Sequence, residues 1–452
     1  MDTLFILEPL LTAIVVAPGV LFLAIATLWL LGWTPPERFI ARTAAALYSA
    51  MAAAVVVLCV LMLRAGQDSL YVMHGAWFRV GEYSFPLLIF VDRLSLPLIL
   101  LTVALVGITG SFSVRYLHRD VGFLRFFLLM HLFAFGALLV FTAGSYDLLL
   151  GGWELVGFTS VFLIGFFTGR REPVRNAIRV FATYRIADLG LMTAVFVLHH
   201  SAGSALYPTL FQGVWPAQTS ALNTGAATLA GLLLLLGASG KSAQVPFSGW
   251  LPRAMEGPTP SSAIFYGAIS VHIGAYLLLR SEPVLRQAPF AAAAVVLVGC
   301  ATALLGTLAH RTSNDVKTSL AYAAMTQLGV IFMEIGFGFT WLALLHIVGH
   351  ACVRTMQFLR APSLLHDHHG LHAAAGGHLE PTGLHWEKLV PAPARAWLYR
   401  AGLERGFLDS LTDRFLIEPG LNLAWILLYF ERPARPAESD PAPATRPATE
   451  TR

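Results

Sequence analysis

The sequence predicts an all-α polytopic membrane protein of about 12 transmembrane helices. Three observations predict it. Of 452 residues, 56% are hydrophobic and only 12% charged, half the roughly 25% that a soluble protein carries to cover its surface. Apolar runs near 20 residues long recur along the chain, and that length crosses about 30 Å of hydrocarbon as a helix. The runs are continuous and not alternating, which excludes a β-barrel, the other design that lipid permits.

The runs lie near 8–33, 43–64, 93–113, 124–143, 148–168, 177–198, 224–246, 261–280, 291–309, 318–339 and 341–359, with a weaker one near 407–430. Met1 and Asp2 open the chain without a basic stretch, so the first run reads as a span and not as a cleavable signal. The expected organisation is N-terminal helices over 1–64, an extracytoplasmic hairpin or linker over 65–92 that carries Trp77 and Phe78, and a transmembrane core over 93–360. A cytoplasmic segment over 361–406, a C-terminal helix over 407–431 and a disordered Pro/Ala/Glu/Arg-rich tail over 432–452 follow.

The net charge is only +4, and its placement says more than its size. Alternate loops carry Arg38 and Arg42, then Arg115, Arg119 and Arg125, then Arg170, Arg171 and Arg175, then Arg253, then Arg311 and Lys317; the segment 199–223 has no Lys or Arg. Basic loops stay in the cytoplasm, which puts the N-terminus outside and the segment with Arg360, Arg395, Arg400 and Arg405 inside. Cys59, Cys300 and Cys352 each sit in an apolar run and suggest neither a disulfide framework nor a CxxC metal site. Ser145-Tyr146-Asp147 and Ser313-Asn314-Asp315 each put an Asp at a helix start, as two ordinary caps or as the echo of an internal repeat.

Several charges lie where lipid should forbid them. A charge near the bilayer centre costs about 2.5–3.5 kcal/mol even on the lenient insertion scale, so each must face a partner or a wet cavity. Glu154 sits in GGWELVGF, Lys241 follows the run LLLLLGASG, and His272 sits in SSAIFYGAISVHIGAYLLL. Arg185 and Asp188 share a helix face at i,i+3; Asp188 can pair with Arg185, or Arg185 can serve Glu154. Low dielectric favours the neutral form of a carboxylate and of a lysine alike. Glu154 and Lys241 therefore read either as a structural ion pair or as a coupled protonation switch. Gly237, Ser239 and Gly240 before Lys241, and Pro246 after it, predict a broken helix of the kind that lines transporter cavities. Pro246, Pro252, Pro258 and Pro260, with Gly249 and Gly257, make the connection beyond it turn-rich, as a loop or a structured re-entrant segment.

His346 and His350 are spaced i,i+4, with Arg354 one turn on. They read as a hydrated proton-relay face or as satisfied core histidines, because H-x3-H alone lacks the third ligand that zinc would need. Lys317 stands at a helix entrance beside Asp315, as a pathway residue or a snorkelling lysine. Glu334 reads as structural and His131 as a hydrogen-bonded core histidine. His366, His368, His369, His372, His378 and His385 are spread along a Gly/Ala-rich stretch, read as a solvated loop more readily than as a metal site. No phosphate loop, nucleophile constellation or nucleotide fingerprint is present. The expectation is a transporter subunit and not an enzyme, with no nucleic-acid partner and no cofactor in this chain.

GGWELVGFTSVFLIGFF, ATYRIADLGLM, GKSAQVPFSGWLPRAMEGPTPSSA, SNDVKTSLAYAAMTQLGVIF and LLHIVGHACVRTMQFL, in that order, resemble the antiporter-like proton-translocating subunits of respiratory complex I, especially subunit L, and the Mrp-type cation/proton antiporters. The resemblance covers about 85–360 and implies an antiporter-like fold with a broken helix near Lys241. It puts Glu154 on the family's membrane glutamate, Lys241 on the broken-helix lysine and His272 on the relay position of the next helix. Lys317 and His350 fall on polar positions of the central axis, and Arg354 stands where a lysine is usual.

Subunit L continues through further helices, including a second broken-helix lysine. Here FLRAPSLLHDHH leads to ERGFLDSLTDRFLIEPGLNLAWILLYF, so the second repeat is expected to be truncated. SVHIGAYLLLRSEPVL and FLRAPSLLHDHH look closer to the DabB type, the membrane subunits of two-component bacterial inorganic carbon transporters. That resemblance implies proton or Na+ flow through this chain in the bacterial inner membrane. It also implies a cytoplasmic DabA-like partner related to β-carbonic anhydrases, with the zinc in the partner. A proton-pumping subunit of a complex I-like or membrane-hydrogenase assembly, a cation/proton antiporter subunit and a non-transporting scaffold are the alternatives.

Overall fold

The computed structural model describes residues 2–81, 83–374 and 390–408, with isolated positions beyond; side chains are described from Ile6, and to Ala361 on the longest helix. Among the described residues, 11 helices are long and apolar enough to cross a membrane. We number the first six α1 (Asp2–Leu30), α2 (Glu37–Arg64), α3 (Ser95–Tyr116), α4 (Phe123–Thr142), α5 (Tyr146–Ile164) and α6 (Arg171–Ala202). The other five are α7 (Thr224–Lys241), α8 (Thr259–Arg280), α9 (Pro289–Thr312), α10 (Val316–Gly336) and α11 (Thr340–Ala374). A further helix, α12 (Ala392–Leu403), is shorter and not among these spans. The expected C-terminal helix over 407–431 and the tail over 432–452 lie largely outside the described residues.

Local signals set the helix starts. Ser145 and Asn223 accept hydrogen bonds from Leu148 N (3.1 Å) and Ala226 N (2.9 Å) at the starts of α5 and α7, and Asp315 accepts from Thr318 N (2.8 Å) at that of α10. Each relieves one of the free amides of a first turn. The two Asp motifs are therefore not equivalent. Asp315 caps its helix, whereas Ser145 caps α5 and Asp147 is released to accept from Tyr83 and to bind His199.

Where both neighbours are equally apolar, helices associate by close backbone approach at small residues. Gly299 of α9 and Gly329 of α10 meet this way: a Cβ on either would stand 2.5 Å from the carbonyl oxygen of the other. Gly136 of α4 and Gly152 of α5 also meet closely, with corresponding distances of 3.1 and 2.6 Å.

The segment 65–92 is a β-hairpin. β1 (Ser69–Val80) pairs antiparallel with β2 (Tyr83–Asp92), with irregular register around Ala76. Its foot is tied to α8 by a buried ion pair, Arg280 Nη1 to Asp92 Oδ2 at 2.6 Å and Nη2 to Oδ1 at 2.9 Å. Asp92 also accepts from Leu94 N and Ser95 N.

The helix before the prolines does break. α7 ends at Lys241, and the chain proceeds by single turns over Phe247–Gly249, Trp250–Arg253 and Ala254–Glu256 before α8. Freed backbone groups find partners: Trp250 Nε1 donates to Gly240 O (2.8 Å), and Val245 N to Thr302 Oγ1 (3.0 Å). α8 is irregular too, with π geometry over Ser262–Ala268 and a 3-10 turn over Ser270–His272, and its whole apolar window is buried. α11 differs from the expectation of a loop, since it runs on through His366, His368, His369 and His372. Leu364, Leu365, Leu371, Ala373 and Ala374 favour helix there, and Gly370 costs about 1 kcal/mol, too little to end a propagating helix. His378 and His385 lie outside the described residues.

Candidate functional site

Two groups of polar side chains sit inside the spans. The first is built from α5, α6 and the end of α7. Trp153 and Glu154 are adjacent on α5 and diverge: Trp153 is fully buried, while the Glu154 side chain is 35% exposed. The i,i+3 spacing puts Arg185 and Asp188 on one face of α6, and Arg185 forks between two carboxylates. Its Nη2 donates to Glu154 Oε2 and, at 2.7 Å, to Asp188 Oδ2. The other Asp188 oxygen accepts from Trp153 Nε1 at 2.6 Å. Lys241 closes the group from the far side. Its Nζ lies 4.1 Å from the Tyr184 ring centre and 5.5 Å from that of Trp153, fully buried and with no hydrogen-bond partner among the described residues.

The geometry corrects one expectation. Glu154 and Lys241 form no direct ion pair among the described residues; Arg185 holds the glutamate, and Asp188 with Trp153 stands between the two. Both options left open for Arg185 are realised at once. The four charges balance as two carboxylates and two cations, joined by hydrogen bonds except at one place. At that place the ammonium has no hydrogen bond among the described residues and faces two aromatic rings, a contact worth about 2 kcal/mol when desolvated. Burying an ion costs several kcal/mol. The field at Lys241 Nζ therefore depends on how the nearby carboxylates are paired. Gly157, one turn beyond Trp153, leaves the space for the ammonium: a Cβ there would collide with Nζ.

The second group joins α8 to α11. His272 Nδ1 binds the carbonyl of Ala268, its Nε2 meets His350 Nδ1 at 2.9 Å, and Arg354 Nε donates to His350 Nε2 at 3.2 Å. His346 shares the face of His350 but has its own partners, Glu334 (3.0 Å) and Gln327 (3.1 Å) of α10. The i,i+4 pair thus divides between two networks, with ring centres 6.2 Å apart. Hydroxyls continue from Tyr184, beside the lysine: Ser160 contacts Tyr184 (3.5 Å) and Tyr266 of α8 (3.1 Å).

Lys317 joins neither group. Its Nζ donates to the carbonyls of Met255 (3.2 Å) and Gly257 (3.1 Å), tying α10 to the broken connection. His131 is a core histidine bound to Tyr48 (2.9 Å). Among the described residues no three metal-ligating side chains cluster. Trp153, Tyr184, Gln327 and the hydroxyls were not legible as site residues, because an aromatic or a serine in an apolar helix looks like packing. The one available signal was spacing, since Tyr184 stands i,i+4 from Asp188 and Trp153 i,i+4 from Gly157.

A family model for the transmembrane region of NADH:quinone oxidoreductase/Mrp antiporters matches residues 143–376, more than half of the chain, and a model for the N-terminus of complex I chain 5 matches 77–127. NADH-quinone oxidoreductase subunit L of Mycobacterium tuberculosis is 34% identical over 72% of this chain and 52% of its own length. The "Probable inorganic carbon transporter subunit DabB1" of Halothiobacillus neapolitanus is 36% identical over 62% of this chain and 50% of its own. The chain thus spans about half the length of these relatives. Among solved structures, the Mrp complex from Dietzia sp. aligns with a TM-score of 0.64 at 28% identity, covering 77% of this chain and 37% of that one. The archaeal membrane-bound sulfane sulfur reductase shares the fold, with a TM-score of 0.62 at 15% identity over 77% of this chain and 70% of that one.

Proposed function

The chain belongs to the NADH:quinone oxidoreductase/Mrp antiporter family, and from that premise we propose that it conducts protons or Na+ to power a partner that accumulates inorganic carbon. At the level of the family it is an antiporter-like, ion-translocating subunit, a multi-pass membrane protein whose relatives are parts of multisubunit membrane complexes. The observation that carries the proposal is the charge chain Glu154–Arg185–Asp188–Trp153 ending at the buried Lys241. One end is partly exposed within a span, where a bare ion pair is costly in lipid and a neighbouring subunit would cover it. The other end is an ammonium whose proton occupancy responds to that pairing. Translocation then follows from switching Arg185 between Glu154 and Asp188, which changes the field at Lys241.

For the carbon reading, the support is the similarity to the inorganic carbon transporter subunit and the stretches around His272 and after Phe358. In that reading the partner is a cytoplasmic DabA-like zinc protein that hydrates CO2. This chain lies in the bacterial inner membrane with its N-terminus outside and its Arg-rich loops inside. Expressing chain and partner together in a host lacking carbonic anhydrase should restore growth in air, and Glu154→Gln should abolish it. No rescue, or rescue by the variant, overturns the proposal. A second reading, a subunit of a quinone-coupled proton pump, is favoured by the subunit L relatives; co-purification of iron–sulfur subunits would decide for it.

A further inference from the structure

The hydrogen-bond directions around His272 and His350 are set by chemistry. A carbonyl oxygen only accepts, so His272 Nδ1 carries the hydrogen that reaches Ala268 O, and in the neutral ring its Nε2 accepts. His350 Nδ1, 2.9 Å away, must then donate, which leaves His350 Nε2 as acceptor. Arg354 Nε, which can only donate, fills that position at 3.2 Å, and Gln357 Oε1 accepts from the same guanidinium at Nη1, 2.8 Å away. Every bond is consistent with two neutral rings in the Nδ1–H form, pointing from Arg354 through His350 and His272 to the Ala268 carbonyl. Among the described residues no carboxylate touches the pair. The charged and titratable groups facing it are Arg354 and His346 of α11, with Glu334 of α10 behind His346.

In this state no ring nitrogen is open. The two accepting nitrogens are His272 Nε2, occupied by His350, and His350 Nε2, occupied by Arg354. We propose that Arg354 is the gate of this histidine relay, shut while its guanidinium donates to His350. The inference rests on the ion-conducting reading above. When Arg354 turns away, held by Gln357, a hydronium gives a proton to His350 Nε2, the Nδ1 hydrogen passes to His272 Nε2, and the His272 Nδ1 hydrogen passes to a second water that replaces the Ala268 carbonyl as its partner. Each ring gains one N–H bond and loses one, and both end in the Nε2–H form. Arg354 cannot re-engage until the rings have reset, because His350 Nε2 then carries a hydrogen. The arginine keeps its charge throughout, so it controls the relay without carrying the proton.

The test is proton flux in proteoliposomes of the full chain under an imposed membrane potential, read with an entrapped pH dye. Arg354→Gln should raise passive conductance about tenfold, which corresponds to about 1.4 kcal/mol, and adding His350→Phe should remove the gain. Flux in Arg354→Gln at or below wild type overturns the gate. Silence in every protein, wild type included, overturns the conduction reading instead. Nitrogen-15 NMR of labelled histidines reads the cap itself on folded protein. His272 and His350 should both be Nδ1–H in wild type, and only His350 should gain an open Nε2 in the variant. An unchanged His350 signal also overturns the gate.

Discussion

Gly157 holds no charge and makes no hydrogen bond through a side chain, yet it decides where the Lys241 ammonium can stand. In Gly157→Ala, the methyl group takes the space of Nζ and displaces it from the rings of Trp153 and Tyr184. Overpacking of this kind costs about 1–3 kcal/mol, so the variant should still assemble in detergent, with ion flux reduced about tenfold or more. A size-exclusion profile and a flux assay on the same preparation check it. At this scale the polar positions Glu154, Arg185, Asp188, Lys241 and His272 were legible because charges interrupt apolar runs, whereas a contact made by a ring face or permitted by a missing Cβ was not. The i,i+4 histidines belong to different networks because Glu334 and Gln327 approach His346 from another helix, which spacing along α11 cannot reveal.

Among the elements, the hairpin and the irregular α8 are held together by Asp92 and Arg280, both about 1% exposed. Removing one partner of a buried pair strands the other, at a cost of about 3–5 kcal/mol, so Asp92→Asn should lower thermal stability markedly. Burial alone would push the Asp92 carboxyl up, but the Arg280 charge and its hydrogen bonds, with those of Ser95, outweigh it and hold it below the ordinary carboxylate range. A carboxyl held low in the folded state adds stability above its unfolded value of about 3.9, and that stability is lost as pH falls through the folded value. The contribution of the pair should be constant from about pH 8 to about pH 4 and decline below, and the decline should be smaller in Asp92→Asn. Thermal scans over pH check both. The break after Lys241 was legible from glycines and prolines. The π geometry of α8 was not, because SSAIFYGA reads as ordinary helix.

Taken whole, the molecule presents part of its charge chain on a flank. The exposed Phe158, Phe162, Phe181, Leu189 and Phe196 share the helices of Glu154 and Arg185, so this side meets lipid or another subunit. The membrane fold and the motif blocks were readable from end to end of the core, since apolar length and buried charge are both written locally. The pairing of those charges was not, because it depends on how α5, α6 and α7 rotate against one another. The central claim is that ion movement depends on the charge chain ending at Lys241. Potential-driven proton flux into proteoliposomes, comparing wild type with Lys241→Met at matched incorporation, tests it most directly. The account predicts clear flux in wild type and none above the empty-vesicle level in the variant. Equal flux in both would contradict it.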